Sequence, residues 1–127
     1  MFLKVLFLGM CPSAKFYDPI KGNPSANRLD SWLDHLDVRG EYAFHNIIEH
    51  HIPNPTIHNV NLERIVGYSQ CFEKVIALGN FVSGILDKLG IEHFKMPHPS
   101  PRNRKFNDPE FESKILKECE RYLNDTD

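Results

Sequence analysis

Residues 2–8 read FLKVLFL, and Gly9 closes the run. In an extended chain successive side chains point to opposite sides, so this segment is apolar on both faces. A strand of that kind must be covered above and below, which is the condition of a parallel sheet between helices. The run falls far short of the ~20 residues of a membrane span. It also lacks a basic leader and a small-residue cleavage site, so it reads as a buried strand and not as a signal peptide.

The rest of the chain repeats the theme. EYAFHNII (41–48), KVIALG (74–79) and the alternating IEHFKM (91–96) are further strand candidates. Between them lie helical patterns. One carries Leu29, Trp32, Leu33 and Leu36 after a cap at Ser25 or Asn27, and Gly40 ends that unit. A second carries Leu62, Ile65, Val66 and Tyr68 after Asn59 or Asn61. A third, NFVSGILDKLG (80–90), starts at Asn80 and has Gly90 beyond its end. In the last, Asn107 or Asp108 caps a helix with Pro109 at its first position and Phe111, Ile115, Leu116, Cys119 and Leu123 on one face. Strands alternating with helices predict a three-layer α/β/α sandwich around a four-stranded, mainly parallel sheet. The 127 residues form one domain, with no repeat, low-complexity tract or linker.

In such sheets ligands bind beyond the carboxyl ends of the strands. Three loops leave those ends here, at 9–26, 46–59 and 97–106, and they are the proline-rich polar segments of the chain. Their convergence predicts a site shared by Cys11, Asn46 and His98. The third loop contains PHPSPRNR (97–104), where proline excludes both helix interior and central strand. His98 in this stiffened loop could stabilise a developing negative charge or move a proton. The Asn46 amide carries a donor and an acceptor, suited to a nucleobase edge. Arg102, Arg104 and Lys105 form a local cationic cluster, whether a solvated tip or a phosphate contact.

The net charge of -2 excludes a uniformly basic coat, so any nucleic-acid contact must use local charge. Three scattered cysteines without a C-x-x-C pair signal neither a zinc nor an iron–sulfur site and suit a reducing cytosol or nucleus. His45, His50, His51 and His58 match no common metal spacing. Cys11 reads as a structural thiol or, beside His98, as the nucleophile of a Cys–His hydrolase.

Taken in order along nearly the whole chain, LGMCPS (8–13), FHN (44–46), VIALGNF (75–81) and HPSPRNR (98–104) resemble the motifs of the uracil-DNA glycosylase superfamily. The closest branch is the single-strand-selective monofunctional type, with its Gly-Met-Asn-Pro, His-Asn and His-Pro-Ser-Pro-Arg-Asn patterns. The resemblance implies a DNA glycosylase that flips uracil or a 5-substituted uracil out of single- or double-stranded DNA and hydrolyses its glycosidic bond. It implies that Asn46 reads the N3 and O4 edge, that His98 donates toward O2, and that Met10 and Cys11 offer backbone N–H groups. Pro99, Ser100, Pro101 and Arg102, with Asn103, Arg104 and Lys105, would form the loop that presses on DNA and fills the gap. No metal or organic cofactor is implied, nor any membrane. The expected state is a monomer, cytoplasmic or nuclear and not secreted.

Two departures accompany the resemblance. Cys11 stands where relatives use Asp or Asn to hold the attacking water, and Asp18 is the candidate substitute. The aromatic that should stack on the base is absent from its usual place, leaving Phe16 and Tyr17 as candidates. The alternatives are therefore a weak or inactive relative that binds DNA or a modified base, and a glycosidase acting on nucleosides or nucleotides.

Overall fold

A computed structural model describes residues 3–11 and 23–125. Four strands form one sheet: β1 (Leu3–Gly9), β2 (Tyr42–Asn46), β3 (Phe72–Leu78) and β4 (Phe94–Met96). Their order is β2-β1-β3-β4 and every pairing is parallel. Four α-helices connect or follow them: α1 (Pro24–Leu36), α2 (Leu62–Ser69), α3 (Asn80–Lys88) and α4 (Pro109–Asn124). The expected α/β/α sandwich is the observed architecture, with a sheet wholly parallel.

The two-faced apolar strand sets the layers. Val5 and Phe7 of β1 pack with Trp32, Leu33 and Leu36 of α1 and with Leu116, Cys119 and Leu123 of α4. Leu6 and Leu8 point the other way, onto Ile65 of α2 and Val82, Ile85 and Leu86 of α3. All four β1 side chains are fully buried. At about 25 cal/mol per Å² of apolar surface, these layers are the main favourable term in folding.

Several element ends differ from expectation. Helix α1 begins earlier than a Ser25 or Asn27 cap would allow, because Asn23 takes the cap and Pro24 sits in the first turn. The Asn23 Oδ1 accepts from the Ser25 and Ala26 N–H groups, at 2.9 and 3.4 Å. The helix closes on Asp37 in the left-handed region, ahead of Gly40. Asn61 caps α2 and Asp108 caps α4 through their side chains. At α3 the cap is Gly79, at φ 95°, and not Asn80. β4 keeps only three of the six expected residues. Where β4 has not yet begun, the Val75 N–H donates to the Tyr122 hydroxyl of α4 at 3.2 Å. No helix among the described residues is long and apolar enough to cross a membrane.

Candidate functional site

The sheet reverses its winding at β1, whose two neighbours β2 and β3 lie on opposite sides. The crevice beyond the carboxyl ends is open at such a point. A cavity of about 540 Å³ occupies it. Each strand contributes at or just past its end: Gly9, Met10 and Cys11 after β1, Asn46 on β2, Leu78 on β3, His98 and Pro99 after β4. Helix α1 forms the outer wall with Ser25, Ala26, Leu29 and Asp30. The three residues expected to meet, Cys11, Asn46 and His98, thus line one cavity.

Asn46 is the last residue of β2 and pairs in register with Gly9. The absent side chain at Gly9 is what admits it. A Cβ built there would lie 2.7 Å from Asn46 Oδ1 and 2.9 Å from the Phe44 ring tip. Backbone bonds from the Ile47 N–H to the Gly9 carbonyl and from the Ile48 N–H to the Met10 carbonyl continue the alignment past the strand. No hydrogen bond from a described residue occupies the Asn46 amide.

His98 belongs to a loop whose prolines alternate with other residues: Pro97, Pro99 and Pro101. Proline has no N–H, so Ser100 and Arg102 hold the free donors of the stretch after His98. Each is taken by the side chain two residues back. The Ser100 N–H donates to His98 Nδ1 at 3.1 Å, and the Arg102 N–H donates to Ser100 Oγ at 3.2 Å. Asn103 closes the turn, with its Nδ2 donating to the His98 carbonyl and its Oδ1 accepting from the Lys105 N–H. An Nδ1 that accepts carries no proton, so the neutral ring presents Nε2–H as its donor.

The ring surface stays open to solvent on one side. On the other it lies against Gly79, where a Cβ would meet His98 Cβ at 3.4 Å. Partial burial lowers the His98 pKa below the ordinary value of 6.5, favouring the neutral form.

The other expected residues divide clearly. Pro99 is buried and lines the cavity, while Pro101, Arg102, Arg104 and Lys105 are exposed. Arg104 and Lys105 ride on a short 3-10 turn, Arg104–Asn107. Phe106 in that turn lies beneath the Arg28 guanidinium at 3.9 Å. Glu112 Oε2 in turn accepts from Arg28 and from Trp32 Nε1, tying the loop to α1 and α4. Cys11 is a free thiol at the cavity wall. Asp18, Phe16 and Tyr17 lie outside the described residues. Among the described residues no three His, Cys, Asp or Glu side chains are grouped to hold a metal.

Among the cavity residues that the sequence did not place in the site are Phe44 and His51. Phe44 was part of a quoted motif, yet period-two alternation in YAFHN puts Tyr42, Phe44 and Asn46 on one face. His51 lines the cavity from the loop after β2, a position that only the fold reveals. No protein-family model and no curated protein matches this chain.

Proposed function

We propose that this protein is a monofunctional DNA glycosylase that excises uracil or a 5-substituted uracil. The observation that supports it most is the meeting of the Asn46 amide and the neutral His98 ring at one cavity of about 540 Å³. That volume lies in the range of small-ligand pockets and accommodates a flipped nucleotide. Asn46 can donate from Nδ2 to O4 and accept the N3–H on Oδ1. His98 Nε2–H can donate to O2. As the C1′–N1 bond breaks, its electron pair passes to the base and gathers on O2, facing that donor. Water then adds its oxygen to C1′, and its released proton balances the uracil anion. The exposed Arg102, Arg104 and Lys105 supply local positive charge for the DNA backbone. The protein works as a monomer, in the cytoplasm or nucleus.

A second reading is a relative that binds DNA or a modified base with little hydrolysis. Cys11 at the cavity wall favours it, since a thiol is a weak donor and acceptor for holding water. One assay separates the two. The protein is incubated with a single-stranded oligonucleotide carrying one uracil, and alkali then cleaves abasic sites. Strand cleavage, abolished by Asn46→Ala, is expected. Tight uracil-dependent binding without cleavage at excess protein would replace the first reading by the second. Cleavage unaffected by Asn46→Ala would reject the assigned base reader.

A further inference from the structure

Phe44 is the one large hydrophobic side chain exposed among the described residues, with 40 % of its surface open. An aromatic ring left open loses the burial that normally stabilises it. Its neighbour on the same face behaves otherwise: Tyr42 packs edge-on against Phe7, 6.2 Å between centroids. Phe44 continues that face but opens into the cavity at the strand ends.

Its position is tied to Asn46. The ring tip and the amide oxygen both crowd the same point above Gly9, at 2.9 and 2.7 Å. They are therefore immediate neighbours, one offering a π face and the other a hydrogen-bonding edge. The first turn of α1 lines the same cavity with the small residues Ser25 and Ala26. An aromatic ring, a hydrogen-bonding edge and small residues thus share one cavity, a combination suited to a flat heterocycle.

We infer that Phe44 is the stacking face for the planar base that Asn46 pairs with, and that Gly9 is kept small to seat both side chains. This assigns from β2 the aromatic role for which the segment after β1 had supplied the candidates Phe16 and Tyr17. The inference rests on the glycosylase reading for its choice of pyrimidine, uracil, as ligand. The geometry itself asks only for a flat ring with an amide-like edge.

Free uracil titrated into the full chain tests it, with the uracil H5 and H6 resonances followed by NMR. Stacking on Phe44 shifts both upfield through the ring current. Phe44→Leu keeps apolar bulk and removes the π face, so it should abolish the shift and weaken binding about tenfold. Phe44→Tyr should retain both. Circular dichroism checks that the variants fold, which the exposure of the side chain favours. An unchanged shift and affinity in Phe44→Leu overturns the inference, as does a wild type that binds no uracil. The two readings fail separately. Excision that survives Phe44→Leu at full rate sinks the stacking role and leaves the glycosylase standing. A Phe44-dependent shift without abasic product supports stacking and sinks hydrolysis.

Discussion

The Ser100 N–H that donates to His98 Nδ1 leaves the neutral ring with its proton on Nε2. The partial burial of that ring adds a pH dependence whose sign can be worked out. Folded His98 titrates below 6.5, its ordinary value, so the unfolded chain takes up a proton first as the pH falls. The contribution to stability is complete above 6.5 and is lost as the pH drops through the lowered pKa. Urea midpoints measured between about pH 7.5 and 5.5 should therefore fall more for the wild type than for His98→Gln. Equal falls would show that the ring is not desolvated. Asn46 and His98 were legible in the sequence because each sits in a polar motif at the end of an apolar run. Phe44 was not, because an aromatic inside a strand pattern reads as core until the sheet edge and the cavity are known. Residues 16–18 remain outside the described structure, so their expected roles are carried by the sequence alone.

At the level of elements, hydroxyl and amide side chains complete what short or proline-broken backbone leaves undone. Tyr122 is the clearest case. It reaches from α4 to the Val75 N–H at a point where β4 supplies no partner. Its burial raises the phenol pKa, in keeping with a neutral hydroxyl that accepts from the strand. Tyr122→Phe removes that acceptor and keeps the ring stacked on Phe94. A loss of about 1–2 kcal/mol in chemical denaturation is expected, with the denaturant slope unchanged. An unchanged midpoint would mean that water replaces the hydroxyl at no cost. The strand and helix types were readable from periodicity. Their ends were not, since β4 begins only past the point where α4 supplies the hydrogen bond to β3, and α1 begins where Asn23 and Pro24 offer a better start than Ser25.

For the molecule as a whole, the layering followed from one strand. Val5 and Phe7 on one face and Leu6 and Leu8 on the other leave helices on both sides as the way to exclude water. The strand order was less accessible, because period-two and period-3.6 patterns say nothing about which side of β1 a crossover takes. That order decides the site: it puts β1 between β2 and β3 and opens the crevice where three distant loops meet.

The pairing of Gly9 with Asn46 makes the cavity's chemistry a matter of counting. Among the described residues β2 lies at the sheet edge and pairs with β1 alone. Sliding it by a single residue would exchange the amide of Asn46 for a neighbour from the opposite face: the imidazole of His45, which now stacks on Tyr68, if the spacer lengthens, or the buried Ile47 if it shortens. The segment between α1 and β2 is therefore a spacer whose length matters more than its composition. At Gly40, where a Cβ would meet nothing within 4 Å, Gly40→Ala should leave both fold and uracil binding intact. Deleting Gly40 should abolish binding in a chain that still melts cooperatively, as followed by the uracil titration and thermal unfolding together. A deletion variant that binds as well as the wild type would show that the loop, and not the strand, absorbs the missing residue. The length of chain from Gly9 to Asn46 through the intervening helix thus sets the ligand edge, and an insertion or deletion there rewrites it more surely than most substitutions inside the cavity.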